Sequence, residues 1–274
     1  MVTATFHFHQ QLDAFLPRER RGRAFAVACA RCATVKHMVE ALGVPHTEAE
    51  AVLVNGAPGS FGHLLAEGDQ VAVYARLDRP GAQPDPDLAR ARPRARMRFV
   101  ADAHLGGLAR LLRMAGYDTL YDNHYHDDEV ERIASHEDRI VLTRDRELLK
   151  RRTIVHGCYI HALAPAAQLR ELFERLDLAD GARPFSLCLH CNAPLRAADK
   201  EAVAARLPPS VRAQHDRFTS CDRCGRVYWE GSHVRRMAAL LAQLGQPGGA
   251  ALGGAPMDAA DVESGRTDDQ PSRA

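Results

Sequence analysis

Several aspartates stand at the ends of short apolar segments that have the length and composition of buried strands. Asp102 follows MRFVA, Asp122 follows DTLY and Asp145 follows IVLTR, and Asp127 and Asp128 open the segment between the last two. The carboxyl ends of parallel strands meet at one edge of a sheet, where ligands collect. Carboxylates gathered there repel one another unless a cation offsets their charge, and Mg²⁺ or Mn²⁺ prefers oxygen ligands. The set therefore predicts a divalent-metal site.

Each acid also has a purely structural explanation. Asp127 or Asp128 could cap the helix that they open, and Asp145 could cap RELLKRR, by accepting bonds from free N–H groups. Asp122 lies in the polar segment YDNHYHDD, which is typical of a solvated loop. Asp102 is the hardest to explain in this way, because it ends a strand beside a glycine-containing turn. The group of acids therefore carries more weight than any single member.

Arginines close to these acids could hold phosphate groups. Arg110 and Arg113 lie one helical turn apart downstream of Asp102, and Arg144 directly precedes Asp145. Two metal ions held by such acids could activate water and stabilise the leaving oxygen of a phosphodiester. A solvated helix face explains Arg110 and Arg113 equally well.

The cysteines predict a second kind of metal site. Six of the seven fall into C-x-x-C pairs, and the pairs CLHC and CDRC each place two thiolates about one tetrahedral ion. Four thiolates leave no open position, so we predict a structural rather than a catalytic Zn²⁺ site. Its ligands would be Cys188, Cys191, Cys221 and Cys224.

Two further features near cysteines stay open between alternatives. In RVYWEGSHVRRM, Trp229 stands among arginines and could stack on a nucleic-acid base, or it could complete the small core of the zinc module. The pair Cys29 and Cys32 has no second pair nearby. These two are either ordinary strand or turn residues or the ligands of an inter-chain metal or redox site.

The composition is that of an ordinary globular protein. The chain has 274 residues, of which 46% are hydrophobic and 26% are charged, and its net charge is only +1. No apolar run approaches the ~20 residues that a membrane helix needs. The N-terminus lacks the basic and apolar regions of a signal peptide, so we expect a cytoplasmic location and no membrane partner.

Five segments follow one another along the chain. Residues 1–78 predict a β-grasp unit, with strands in FHFHQQL, RAFAVAC, AVLVNG and DQVAVYARL and a helix in TVKHMVEALG. Residues 79–96 hold four prolines and five arginines and indicate a linker. In residues 97–183 strand and helix patterns alternate, which predicts a parallel sheet flanked by helices. A cysteine-rich module spans residues 184–240, and residues 241–274 have the composition of a disordered tail.

The middle of the chain resembles a known family. FVADAHLGGLARLLRMAGYDTLY, HDDEVERIASHEDRIVLTRDRELL and AAQLRELF are similar to the PIN-like nucleases called the Mut-seven C-terminal RNase domain, over residues 97 to 235. The resemblance implies an α/β PIN-like fold followed by a zinc ribbon. It places Asp102, Asp127 and Asp145 on the acidic positions, with Asp128 in reserve, and Thr143 on the polar position beside the last acid. PIN nucleases commonly carry a fourth acid, which has no counterpart after Asp145.

The N-terminal segment carries a second resemblance. TVKHMVEALGVPHTEAEAVLVNG is similar to the ubiquitin-like domain that precedes this nuclease in many bacterial relatives. Sulfur carriers of similar shape end in an exposed Gly-Gly, whereas here VAVYARLDRPG continues into the linker. The resemblance therefore implies a module that binds a protein partner or helps to grip RNA, without conjugation chemistry.

These observations together predict a metal-dependent ribonuclease that acts on single-stranded RNA with Mg²⁺ or Mn²⁺. The alternatives are an RNA-binding adaptor with an inactive acidic cluster and a protein-interaction module that works through the β-grasp domain. DAH at 102–104 also resembles the D-x-H opening of metallophosphoesterases, but the G-D motif and the later paired histidines of that class are absent.

Overall fold

The computed structural model describes residues 1–75 and 97–244. The predicted linker and all but four residues of the predicted tail lie outside these ranges. The chain divides into two compact units, one made of residues 1–109 and 118–177, the other of residues 110–117 and those from 178 onward. In the described ranges, no helix is both long and apolar enough to cross a membrane.

The N-terminal residues form the predicted β-grasp sheet. Its strands are β1 (Val2–Phe8), β2 (Phe25–Cys29), β3 (Ala51–Val54), β4 (Ala57–Gly59) and β5 (Gln70–Tyr74), in the order β2-β1-β5-β3-β4. Strands β1 and β5 are parallel and the other neighbours are antiparallel. Helix α1 (Val35–Ala41) begins as predicted after Thr34, whose hydroxyl accepts a hydrogen bond from the backbone N–H of His37.

Two details of this domain differ from the prediction. The first strand ends at Phe8, and Gln10–Phe15 turns into a 3₁₀ helix instead of continuing the strand. Strand β4 was not predicted, because its three residues, APG, include a proline and a glycine. Cys29 lies buried at the end of β2 and Cys32 is exposed, which favours the interpretation of both as ordinary strand and turn residues.

The next part of the first unit contains the predicted parallel sheet. Its strands are β6 (Phe99–Ala101), β7 (Thr119–Leu120), β8 (Ile140–Thr143) and β9 (Gly157–Tyr159), all parallel and in the order β7-β6-β8-β9. Helices α2 (Gly106–Met114), α3 (Asp127–Glu137), α4 (Arg146–Leu149) and α5 (Pro165–Leu176) alternate with the strands. The chain first adds β7 on one side of β6 and then returns to add β8 on the other side. The switch point of the sheet therefore lies between β6 and β8.

Helix α3 packs on this sheet through the apolar residues that the 3.6-residue period predicted. Val130, Ile133 and Ala134 are buried against Val100 and Val141 of the two central strands. Burial of a valine or isoleucine side chain stabilises the fold by about 1.5–3 kcal/mol. This packing fixes the start of α3 next to the carboxyl edge of the sheet.

The β-grasp domain covers the edge strand β9 of the parallel sheet. The backbone N–H of Tyr159 donates to Glu48 Oε1 at 2.6 Å, and Glu48 Oε2 pairs with Arg175 of α5. His46 Nε2 lies 3.0 Å from the carbonyl oxygen of Ile154. The Glu48 side chain is only 3% exposed. This face of the ubiquitin-like domain is engaged within the chain, so a protein partner of that domain would have to bind elsewhere on it.

Replacement of Glu48 by alanine is expected to destabilise the first unit by roughly 3 kcal/mol. Loss of one partner of a buried ion pair typically costs about 3–5 kcal/mol, and the low end applies because Glu171 still faces Arg175. Chemical denaturation of the two proteins measures the change. Glu129→Ala, in an exposed pair with Arg132, is the control and should change the free energy of unfolding by no more than about 0.5 kcal/mol. Equal stability of the two variants would show that the bonds of Glu48 contribute no net stability.

The second unit contains the cysteine-rich module. Strands β10 (Arg196–Ala198), β11 (Phe218–Ser220) and β12 (Val227–Trp229) form an antiparallel sheet in chain order. Helices α6 (Lys200–Val203), α7 (Pro209–Gln214) and α8 (Ser232–Leu244) complete it. The last helix extends to Leu244, so residues 241–244 are helical and the predicted boundary at residue 240 lies four residues too early.

Candidate functional site

Two of the predicted acids lie at the switch point of the parallel sheet, joined by Thr143. Ala101 pairs with Leu142, so Asp102 and Thr143 follow at the same level of adjacent strands. The Thr143 hydroxyl donates to Asp102 Oδ2 at 2.7 Å and accepts from the backbone N–H of Asp145 at 2.9 Å. Thr143 is fully buried and both aspartates are partly exposed. The structure therefore brings together Asp102, Thr143 and Asp145.

Asp145 also has the structural role that was the alternative explanation. It is the N-cap of α4, and its Oδ1 accepts the backbone N–H of Glu147 at 2.8 Å. This bond uses one oxygen of the Asp145 carboxylate, and the bond from Thr143 uses one oxygen of Asp102. Each carboxylate therefore has a second oxygen that these bonds do not use.

The LGG sequence after Asp102 allows the following turn to pack closely. A Cβ atom at Gly106 would lie 2.6 Å from the hydroxyl oxygen of Tyr121, and a Cβ atom at Gly107 would lie 2.6 Å from Cγ of Pro165. The Tyr121 hydroxyl donates to the carbonyl oxygen of Ala103 at 3.0 Å. A larger residue at either position would therefore clash with its neighbour, which explains the two glycines. The close packing and the Tyr121 bond hold the turn that follows Asp102.

Asp127 and Asp128 occupy the first turn of α3, where negative charge interacts favourably with the helix dipole. Neither is the cap, because His126 occupies that position, so the capping explanation is wrong for both. Asp128 Oδ1 lies 2.6 Å from Arg151, and Asp127 Oδ2 lies 3.6 Å from the same guanidinium. Glu131 also accepts from Arg151, at 2.6 Å. Asp128 is thus the more closely paired of the two aspartates.

The Arg151 cluster shifts the ionisation of its members. Hydrogen bonds from Thr153 and Arg151 lower the pKa of Glu131, and bonds to Glu131 and Asp128 raise the pKa of Arg151.

Among residues 1–75 and 97–244, only the four cysteines form a group of three or more His, Cys, Asp or Glu with all ligand atoms within 4.8 Å of one another. The carboxylate oxygens of Asp102, Asp127 and Asp145 therefore do not all lie within 4.8 Å of one another.

The remaining acid and arginines have different surroundings. Asp122 is exposed and accepts from the backbone and ring of His124, which lowers its pKa, as expected for a loop residue. Arg144 is exposed and Arg110 is partly exposed. Arg113 is 5% exposed, and its Nη1 donates to the carbonyl oxygens of Leu189 and His190 at 3.1 and 2.7 Å. These bonds favour a role of Arg113 in stabilising the first cysteine turn over the predicted contact with RNA.

The four predicted zinc ligands converge on one point. The Cys188 and Cys224 sulfurs are 3.6 Å apart, and those of Cys191 and Cys221 are 3.4 Å apart. Zn–S bonds of about 2.3 Å in a tetrahedron put the sulfurs roughly 3.8 Å apart, so the donor set fits Zn²⁺. Burial raises the pKa of Cys191 to about 12, so a cation is needed for all four thiolates to form together. The Tyr228 hydroxyl lies 3.1 Å from the Cys188 sulfur and orients this ligand.

Trp229 completes the core of the same module, the alternative that the sequence left open. It packs beside the buried cluster of Val203, Leu207 and Phe218. It also lines a largely apolar groove of about 640 Å³, whose lining includes Arg217 and Arg235. The ring therefore combines a structural position with access to the groove.

Several residues of the site were missed in the sequence. Tyr121, Arg151, Tyr159 and His161 all approach the carboxyl edge of the sheet or its neighbouring acids. The signal for His161 was available, because it follows the last parallel strand just as Asp145 follows β8. Nothing in the local pattern identifies the partners of Arg151.

Replacement of Thr143 by valine is expected to loosen the site while keeping its shape. The Asp102 carboxylate would lose a donor and the N–H of Asp145 would lose its acceptor, which costs about 1–3 kcal/mol. Urea denaturation of Thr143→Val and Thr143→Ser measures this cost. The serine variant retains the hydroxyl and should lose less stability than the valine variant. A valine variant as stable as the native protein would show that the bridge is not structural.

A parallel sheet with aspartates at its switch point, where open α/β sheets bind ligands, is here combined with a ubiquitin-like fold and a four-cysteine cluster. The family model of the Mut7-C RNAse domain matches residues 97–241, more than half of the chain, and that of the Mut7-C ubiquitin domain matches residues 1–79. The chain therefore belongs to the Mut7-C RNase family. No curated protein matches the chain. No solved structure matches it either.

Proposed function

We propose that this protein is a metal-dependent ribonuclease that hydrolyses phosphodiester bonds of RNA at the carboxyl edge of the β6–β9 sheet. The observation that carries the proposal is the hydrogen-bonded group of Asp102, Thr143 and Asp145 at the switch point, in a chain of the Mut7-C RNase family. Two carboxylates that meet at this position need a counter-charge. A hard divalent cation supplies this charge and can in turn bind a phosphate of the substrate.

Asp102 and Asp145 would hold Mg²⁺ or Mn²⁺ through the carboxylate oxygens that their hydrogen bonds leave unused. Mg²⁺ in proteins usually binds one or two carboxylates, several waters and the phosphates of a substrate. When bound, such a cation polarises a phosphoryl oxygen and makes water a better nucleophile. Thr143 would fix the separation of the two carboxylates, because one hydroxyl contacts the side chain of Asp102 and the backbone of Asp145.

Asp127 would be the third acid of the site, with Asp128 as its reserve. Of the two, Asp127 lies farther from Arg151, at 3.6 Å against 2.6 Å for Asp128, which leaves its carboxylate more able to turn toward an incoming cation. Asp127 would bind the cation through a bridging water, or directly after its side chain rotates. The weaker pairing with Arg151 thus favours Asp127 over Asp128.

The RNA would be held by positively charged and aromatic side chains. Arg144 is exposed next to Asp145 and Arg110 is partly exposed on α2, and both could pair with phosphates. Trp229 lines the groove of the cysteine module, where a base of single-stranded RNA could stack. The Zn²⁺ ion would be structural, since four thiolates close its coordination shell.

A specific observation supports a second candidate, an RNA-binding adaptor without catalysis. Arg151 pairs with Asp127, Asp128 and Glu131, so part of the acidic group is already neutralised by a residue of the protein itself. No acid following Asp145 matches the fourth acid of PIN nucleases. Such an adaptor would bind RNA tightly and turn over none of it in any divalent metal.

Incubation of the purified, zinc-loaded protein with end-labelled single-stranded RNA distinguishes the two candidates. We expect cleavage on addition of Mn²⁺ or Mg²⁺ and no cleavage without added divalent metal. The Asp145→Asn protein, purified in parallel, controls for contaminating nucleases and should be inactive. Binding without cleavage in every metal would favour the adaptor.

A further inference from the structure

The end of β9 lies beside the proposed acidic site. Thr143 pairs with Tyr159, and the backbone N–H of Ile160 donates to the carbonyl oxygen of Thr143 at 2.9 Å. His161 therefore follows β9 by the same two residues by which Asp145 follows β8. The two side chains belong to neighbouring positions on the carboxyl edge of the sheet.

Three rings meet at this position, and they come from both domains of the first unit. The ring centroids of Phe15 and Tyr159 are 5.3 Å apart, those of Phe15 and His161 are 5.3 Å apart, and those of Tyr159 and His161 are 4.8 Å apart. All three pairs are tilted edge to face, an arrangement that aromatic rings favour. We name Phe15, Tyr159 and His161 the edge aromatic cluster.

Arg146 fixes the edge aromatic cluster relative to the acids. It directly follows Asp145, and its guanidinium lies 5.0 Å from the ring centroid of Phe15 and 5.6 Å from that of Tyr159. Its Nη1 and Nη2 also donate to the carbonyl oxygens of Phe15 and Ala14, at 3.1 and 3.3 Å. Arg146 thereby links Phe15 of the ubiquitin-like domain to Asp145, the proposed metal ligand that precedes Arg146 in the chain.

The cluster is buried at its base and open at its outer ring. Phe15 is 4% exposed and Tyr159 is partly exposed, whereas His161 is exposed. The backbone N–H of His161 donates to the Glu171 carboxylate, which fixes the main chain that carries the ring. Nearby, Leu163 is 75% exposed and Arg144 is exposed. The protein thus presents an exposed histidine with a firm aromatic support and a positive charge close by.

We propose that the edge aromatic cluster binds an unstacked base of single-stranded RNA, with His161 as the stacking ring, next to the phosphate that a cation would hold at Asp102 and Asp145. Bases splayed out of a single strand stack on aromatic and histidine rings, and arginines hold the adjoining phosphates. Arg144 is placed for such a phosphate. The inference rests on the proposed function, and it gives the ubiquitin-like domain a part in substrate binding through Phe15.

The electrostatic surroundings agree with stacking. Partial burial lowers the pKa of His161, and Arg175, Arg146 and Arg144 lower it further against the opposing effect of Glu171. The imidazole is therefore neutral at pH 7, and it stacks as a flat uncharged ring while Arg144 supplies the positive charge. His161 would therefore position the substrate and would not transfer a proton.

Binding of a fluorescent single-stranded RNA to zinc-loaded protein, without added Mg²⁺ or Mn²⁺, tests the inference apart from cleavage. Loss of a base–aromatic stack typically weakens binding by ~5- to 100-fold, which we expect for His161→Ala. His161→Phe retains a ring and should keep most of the affinity. His124→Ala, which removes another exposed histidine, is the matched control and should bind as the native protein does.

An RNA with one base removed at each position in turn completes the test. Native protein should lose affinity at one position, and His161→Ala should lose none there, because the partner of the base is already gone. Equal affinity of His161→Ala and native protein would overturn the inference, as would a phenylalanine variant as weak as the alanine variant. A lower kcat with unchanged Kd would instead assign His161 to catalysis. Absence of cleavage with these binding results intact would remove the proposed enzyme and leave the base site.

Discussion

The Asp102→Asn protein is expected to cleave single-stranded RNA about a thousandfold more slowly than the native protein in Mn²⁺. A cation at this site would contribute several kcal/mol of transition-state stabilisation, and ~4 kcal/mol corresponds to a factor of roughly 10³ in rate. The amide keeps the size of the side chain and can still accept from Thr143. Loss of activity would therefore reflect loss of the charge that holds the cation. Single-turnover cleavage of an end-labelled RNA measures the effect.

Asp122→Asn is the matched control for this prediction. Asp122 is an exposed aspartate of the same domain whose carboxylate contacts only His124 among the bonds that the structure shows, so its charge is not needed for the proposed site. It should cleave at the native rate, and Asp127→Asn should fall between the control and Asp102→Asn, because Arg151 already offsets part of its charge. Cleavage by Asp102→Asn at the rate of the control would remove this acid from the site.

Removal of zinc is expected to unfold the cysteine-rich module. Structural Zn²⁺ contributes about 10–16 kcal/mol to the folding of zinc-finger peptides at pH 7, more than a small core can replace. Trp229 is the single tryptophan of the chain and packs against Phe218 and its neighbours, so its fluorescence reports on this module alone. We expect a red-shifted emission after chelation and in Cys221→Ser. Addition of zinc should restore the native emission of the chelated protein but not that of Cys221→Ser.

The zinc prediction has its own control and a pH dependence. Cys32→Ser changes an exposed cysteine outside the cluster and should leave the Trp229 emission unchanged. Protons compete with the metal for thiolates, and burial raises the pKa of Cys191 and Cys221, so zinc affinity should fall as the pH is lowered. An unchanged emission after stoichiometric removal of zinc, confirmed by metal analysis, would show that the module folds without the ion.

Local patterns in the sequence were sufficient for the elements and for part of the site. The alternation of strand and helix patterns gave the parallel sheet, and the spacing of CLHC and CDRC gave the four converging sulfurs. Asp102 and Asp145 could be placed near each other because strands in a parallel sheet end on the same edge. The resemblance placed Thr143 beside the last acid, but its bond to Asp102 became visible only with the register of β6 and β8 in the structure.

Contacts between residues far apart in the chain could not be predicted in the same way. Arg113 looked like a phosphate-binding residue of an exposed helix face, but its burial depends on a cysteine turn about 75 residues further on. The pairing of Glu48 with Arg175 and the contact of Phe15 with His161 depend on how two domains meet. Periodicity describes which face of an element is apolar and leaves the partner of that face undetermined.

Titration of the zinc-loaded protein with Mn²⁺, followed by the electron paramagnetic resonance of the free ion, measures the proposed cation site without relying on activity. We predict saturable Mn²⁺ binding by the native protein and by Asp122→Asn, and a large loss of affinity in both Asp102→Asn and Asp145→Asn. Undiminished Mn²⁺ binding by both of these variants, or no saturable binding by the native protein even with RNA present, would contradict this prediction.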